Sequence, residues 1–267
     1  MSLVWVDRMA VDVRGEGDAI ILVHGLGGSL NAFTPLLPAL ANWRCVRLDL
    51  PGAGRSHKAY ALGESTPHRG KISVATHADA VRRVCEAQGI SSAHFVGHSF
   101  GTIIAQHVAA EVPQLVRSLT LFGALAEPPQ SLRDNMLARA ALAREQGMFG
   151  IAEGTAEFSL SASTQQTQPV TVAYVRESIG AHDAEGYARN CEALAQAQSA
   201  RLELIHCPTL IVNGDEDRVT VLSGARHLAE RLTNARVEVL SRCGHWPMFE
   251  RSTDAQRLLR EFLLSVR

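Results

Sequence analysis

Residues 97–101 read Gly-His-Ser-Phe-Gly and place a serine between two glycines. The G-x-S-x-G spacing is weak alone, because both residue types are common. Its surroundings make it informative: 93–98 is a short apolar run of the kind that forms a buried strand, and 103–111 continues as a helical pattern. A serine at such a turn stands above the sheet with its hydroxyl at a helix N-terminus, where N–H groups favour developing negative charge. Side chains in place of the flanking glycines would collide with the neighbouring strand and helix. The expected chemistry is attack by Ser99 on a carbonyl carbon.

A hydroxyl is a poor nucleophile near neutral pH and needs a base, which in turn needs an orienting partner. Of eleven histidines, His245 is the candidate base. It sits in the Gly/Pro-bounded run Cys243-Gly244-His245-Trp246-Pro247 after a late strand, at the carboxyl edge where catalytic groups of open α/β sheets collect. The acid should come from a similar loop, and 209–213 runs into Gly214-Asp215-Glu216-Asp217. Any of these three carboxylates satisfies the chain order Ser, acid, His. The oxyanion needs two donors: the N–H of Phe100, next after the nucleophile, and the N–H of Leu26 in His24-Gly25-Leu26-Gly27-Gly28. That glycine-rich loop does not complete G-x-G-x-x-G, and no Lys-Ser or Lys-Thr follows, which argues against phosphate binding.

These residues must be positioned by strands, and apolar runs supply them at 19–24, 45–50, 93–98 and 116–122, with helical patterns at 76–88 and 103–111. The alternation predicts parallel strands with crossover helices. From about 127 to 206 strands give way to helical stretches at 131–146, 171–179 and 184–197, which reads as a helical insertion. Strand patterns return at 209–213 and 237–240, followed by helices at 222–231 and 255–265. Two polar stretches, 57–71 and 159–168, read as mobile loops.

Composition narrows the partners. The chain has 267 residues, 46% of them hydrophobic, a formal net charge of −1 and no block of like charge. Nothing electrostatic draws it to nucleic acid or an anionic membrane, so a small molecule is the expected partner, and a homo-oligomer is left open. No signal-peptide pattern or membrane-length apolar run occurs. Five scattered cysteines without a C-x-x-C pair argue against a disulfide framework and a zinc site, and a cytoplasmic location fits. No metal or cofactor is expected. Cys243 is expected to pack as a buried thiol.

With these pieces in place the chain resembles the α/β-hydrolase fold family over nearly its whole length. The motifs are HGLGG at 24–28, DLPGAGRS at 49–56, GHSFG at 97–101, PTLIVNGDED at 208–217 and GHWPMFE at 244–250. The resemblance implies an α/β class fold: a mostly parallel eight-stranded sheet flanked by helices, formed by 1–126 and 207–267, with 127–206 as a helical cap. It also selects Asp217 as the acid, Asp215 being the reserve. Residues 186–194 of the cap resemble 3-oxoadipate enol-lactonases and related small-molecule esterases. A carboxylate-bearing substrate would want an arginine there, from Arg133, Arg139, Arg176 or Arg189. Gly25, His98, Arg189 and Trp246 are the candidate substrate contacts, and Met136, Leu137, Phe149, Phe158, Tyr187 and Leu194 the candidate inward residues of the cap. The expected activity is hydrolysis of a small carboxylic ester or lactone. The same triad would serve carbon-carbon bond hydrolysis of ring-cleavage diketones or cofactor-free perhydrolysis, and a ligand receptor on this scaffold is the non-enzymatic alternative. Epoxide and haloalkane hydrolysis would put Asp where Ser99 stands.

Overall fold

Strands that are apolar on both faces can be buried only inside a sheet covered on both sides. The computed structural model, which describes residues 2–59 and 71–266, follows that rule. β3 (Ala19–Val23), β5 (Ala93–His98), β6 (Val116–Phe122) and β7 (Thr209–Gly214) lie side by side in the middle of an eight-stranded sheet, and almost every residue in them is buried. β1 (Ser2–Val6), β2 (Met9–Arg14) and β4 (Arg44–Leu48) extend one side, and β8 (Ala235–Leu240) closes the other, giving the order β1-β2-β4-β3-β5-β6-β7-β8. Pairing is parallel from β4 through β8, while β1–β2 and β2–β4 are antiparallel.

The β1–β2 hairpin has no counterpart among the sequence-predicted strands. Its turn is Asp7-Arg8, both at positive φ (46° and 62°), so the Asn-Gly or Asp-Gly signal of such turns is missing. A buried ion pair joins β2 to β4: Asp12 faces Arg47 in register, and Arg47 donates to Asp12 Oδ2 at 2.7 and 3.1 Å. Arg47 also donates to the Leu30 carbonyl and Thr34 Oγ1, so its charge is enclosed but fully engaged.

Helices cover both faces. α1 (Val74–Ala87) begins at a capping box made by Ser73 and Thr76. α2 (Phe100–Glu111) follows β5 directly and is buried along nearly its whole length. α8 (Leu222–Arg231), α9 (Pro247–Glu250) and α10 (Ser252–Ser265) complete the C-terminal part. Between β6 and β7 come five consecutive helices: α3 (Gln130–Gln146), α4 (Phe149–Ser159), α5 (Ala162–Thr167), α6 (Pro169–Gly180) and α7 (Ala184–Ala195). No helix of the described residues is long and apolar enough to cross a membrane.

Two expectations for this insertion need correction. The stretch 159–168 is not an irregular loop: it contains α5, capped by Ser161, and its N–H groups at Ser161 and Ala162 are bonded to Glu250 and Glu216. Ser161 caps the helix and the Thr167 hydroxyl donates back to the Ser163 carbonyl, local uses that polar composition alone cannot reveal. Of the other predicted loop, 57–71, residues 60–70 lie outside the described residues. Second, Met136, Tyr187 and Leu194 are buried as expected, but Leu137, Phe149 and Phe158 are exposed by 50, 78 and 49%. α3 buries the stripe Met136, Ala140 and Ala143, which leaves Leu137 turned away, and the Phe158 ring is covered by the Arg218 guanidinium at 4.9 Å.

Three imidazoles are enclosed where sheet and helices meet. Burial pushes His24 down to about 4, His77 to about 4 and His98 to about 3. In an unfolded chain each would titrate near 6.5. The unfolded state therefore binds more protons between those values, so stability is complete above pH ~6.5 and declines as pH falls towards 4, by about 3 kcal/mol for each fully neutral imidazole. The urea midpoint should fall steeply over that interval. A midpoint constant from pH 7 to 4.5 would contradict neutral burial.

Candidate active site

β5 passes into α2 through a single residue. Ser99 adopts φ 52° and ψ −120°, a conformation that costs a non-glycine residue about 1–3 kcal/mol. It is held by the Ser99 N–H donating to the Phe122 carbonyl (2.9 Å) and by Thr102, whose N–H (2.8 Å) and hydroxyl (2.6 Å) both donate to the Ser99 carbonyl. The turn is this tight because a Cβ at Gly101 would overlap the Val23 carbonyl oxygen of β3, and one at Gly97 would lie 2.8 Å from the Gly101 carbonyl oxygen. As the first residue of α2, Phe100 has an N–H with no carbonyl a turn earlier to receive it.

His245 is fixed from three sides. Its N–H donates to the Ser159 carbonyl at the end of α4 (2.7 Å), its carbonyl accepts from His98 Nε2 (2.8 Å), and its Nδ1 lies 2.8 Å from Asp217 Oδ2. The last contact assigns the proton to Nδ1 and leaves Nε2 as the free ring nitrogen. Asp217 also accepts from the Val219 and Thr220 N–H groups and from the Thr220 hydroxyl. Burial would push its carboxyl up, but the facing imidazole and the Thr220 donors outweigh this and hold it below the usual carboxylate range. Asp215 is occupied elsewhere, accepting from the Cys243 N–H (3.1 Å), and Glu216 accepts from Ala162. Of the three adjacent carboxylates only Asp217 reaches the imidazole. Gly123, next after the carbonyl that holds Ser99, lies against His245 and Thr220. Ser99 Oγ makes no hydrogen bond to His245 among the described residues; such bonds commonly tighten only around substrate.

The loop after β3 is built around one peptide unit. The Leu50 N–H donates to His24 Nε2 (3.0 Å), so His24 Nδ1 carries the proton and donates to the Gly25 carbonyl (2.8 Å). The Gly28 N–H donates to the same carbonyl (3.1 Å). Two donors thus hold the carbonyl end of the Gly25–Leu26 peptide, and its other end, the Leu26 N–H, has no acceptor among the described residues. A Cβ on Gly25 would meet Ser99 Cβ at 2.8 Å, which places this loop directly beside the nucleophile candidate.

A cavity of about 10 Å³, room for roughly one water, is enclosed where this loop meets the insertion; its walls include Gly25, Leu26, Leu50, Phe100, His182 and Tyr187. Of the four expected substrate contacts, Gly25 lines this cavity. His98 and Trp246 are placed elsewhere, packed against each other beneath His245, with Trp246 Nε1 donating to Ser159 Oγ. Arg189 does not border the cavity and pairs with Glu185 at 2.7 Å. The other candidate arginines are also engaged: Arg133 by the Ala195 carbonyl, Arg139 by Thr155 and Tyr187, and Arg176 by Glu153 and Glu177. Cys243 is fully buried, and burial raises its thiol pKa. Thr220, Ser159 and His182 escaped the sequence reading. Only Thr220, three residues after an aspartate in a turn, carried a local signal.

Known proteins agree with this architecture. A family model for the alpha/beta hydrolase fold matches residues 18–252. The chain is 30% identical to a pimeloyl-[acyl-carrier protein] methyl ester esterase of Chromobacterium violaceum, over 96% of this chain and 98% of that protein. It is 26% identical to a 2-hydroxy-6-oxononadienedioate/2-hydroxy-6-oxononatrienedioate hydrolase of Burkholderia vietnamiensis, over 96% and 91%. Among solved structures, the enol-lactonase from Burkholderia xenovorans LB400 superposes with a TM-score of 0.87 at 25% identity, covering 98% of this chain and all of that one. Sheet order, the turn at Ser99 and a family match over most of its length establish that the chain belongs to the α/β-hydrolase fold family and is a hydrolase.

Proposed function

We propose that this hydrolase cleaves a small carboxylic ester or lactone through an acyl-enzyme on Ser99. The observation that carries the reading is the 2.8 Å contact between His245 Nδ1 and Asp217 Oδ2, buried at the same sheet edge as the strained Ser99 turn. In the first half-reaction His245 Nε2 takes the Ser99 proton while Oγ bonds to the carbonyl carbon. The carbonyl oxygen becomes an oxyanion received by the Phe100 and Leu26 N–H groups. Collapse of this intermediate breaks the bond to the leaving oxygen, which takes the proton from His245. Water then repeats the sequence, giving its proton to His245 and releasing the acid as the proton returns to Ser99. Asp217 keeps the imidazole in the required tautomer.

Residues 127–206 act as a cap that excludes water from this site. Free thiols at all five cysteines support a reducing, cytoplasmic setting. Carbon-carbon bond hydrolysis is the second reading, favoured by the Burkholderia vietnamiensis relative.

A panel of p-nitrophenyl esters, lactones and a vinylogous diketone separates the two readings, and a fluorophosphonate should add its mass at Ser99 alone. Ser99→Ala should lower kcat by about 10⁶-fold; retained turnover would remove the nucleophile assignment. Asp217→Asn should cost about 10⁴-fold in kcat by favouring the wrong tautomer. Asp215→Asn should leave kcat within a few-fold, and equal losses in the two variants would refute the choice of acid.

A further inference from the structure

The helical insertion reaches past the cavity and holds the backbone of the 24–28 loop. At the end of α6 the Ser178 hydroxyl donates to the Gly27 carbonyl at 3.0 Å. Four residues on, the His182 ring lies between two carbonyls, with Nδ1 2.8 Å from the Ser178 oxygen and Nε2 3.1 Å from the Gly28 oxygen; burial lowers its pKa, and the single N–H of the neutral ring donates to one of the two. Ile179, between them, sits where a Cβ on Gly27 would be, at 2.9 Å, and Gly27 itself has φ +71°. The loop cannot slide sideways without losing these contacts. Its inner side is held independently, through the Gly25 carbonyl, by His24 and the Gly28 N–H. The Leu26 N–H thus lies in a short turn gripped from the sheet on one side and from the insertion on the other.

We propose that Ser178 and His182 are positioning residues: Ser178 holds the Gly27 carbonyl, His182 braces either the Gly28 carbonyl or the end of α6 that carries Ser178, and together they set the aim of the Leu26 N–H, so the insertion takes part in stabilising the oxyanion and does more than cover it. This rests on the Ser99 reading for its catalytic consequence, while the mechanical part stands on the hydrogen bonds alone. Neither side chain reacts, so their effect falls on the transition state, where the donor is used, and spares ground-state binding.

The test combines kinetics with backbone exchange. Ser178→Ala should lower kcat for p-nitrophenyl acetate about fivefold, the value of one neutral hydrogen bond, with KM unchanged. Affinity for a trifluoromethyl ketone, whose adduct places an oxyanion on the same donors, should weaken by the same factor. Ser178→Thr, which keeps the hydroxyl, should restore both, and His182→Phe should show the same kcat-specific loss. Amide hydrogen exchange across 24–30 should be faster in Ser178→Ala than in the native protein. Unchanged kcat and exchange in a folded Ser178→Ala protein would overturn the proposal, as would a rise confined to KM, or a loss that Ser178→Thr fails to restore. A native protein without turnover, whose 24–30 exchange still quickens in Ser178→Ala, would place the failure in the Ser99 reading and leave the mechanical grip standing.

Discussion

The backbone of Ser99 is the constraint on which this molecule is organised. A left-handed conformation at a non-glycine residue persists only where its surroundings leave no alternative. Here β5 is locked between β3 and β6, and α2 starts at once, so near β3 that Gly101 lies almost in contact with the Val23 carbonyl. Relaxing Ser99 would tear α2 from the sheet or break three hydrogen bonds at once. The strain is therefore small beside the burial that enforces it. Its product is a hydroxyl at the mouth of a helix, with the Phe100 N–H adjacent.

The electrostatic design follows from enclosure. Asp217 is almost completely buried, and an isolated carboxylate there would be costly. Four donors from Val219, Thr220 and His245 meet that cost and fix both of its oxygens. His98 and His24 solve a different problem with the same residue type. Each stays neutral, holds a backbone carbonyl with its single N–H, and so braces His245 and the 24–28 loop without adding charge.

Much of this was legible in the sequence where one residue type has one physical solution. The runs at 93–98 and 116–122 match β5 and β6 residue for residue, since such strands can only be buried. The positions of Ser99 at a strand-to-helix turn and of His245 in a loop after a late strand followed from the same pattern. Asp217 did not, because Asp215, Glu216 and Asp217 share one loop, and a rotation of the chain decides which faces inward. The β1–β2 hairpin was missed because Asp7-Arg8 carries no glycine, and α5 because a run of Ser, Thr and Gln looks the same whether its hydroxyls cap a helix or meet water. Ser178 and His182 were invisible for a related reason: their partners are backbone carbonyls, which every residue has.

The Ser159 carbonyl that receives the His245 N–H belongs to the same run of five helices that carries Ser178 and His182. One continuous segment therefore touches the loop that carries His245 and the loop at 24–28, which follow different strands. Grafting a foreign insertion between β6 and β7 to change substrate preference would exchange both supports together. The two supports are not separable modules in this molecule, and recombination at the borders of the insertion would inherit or lose them as a pair.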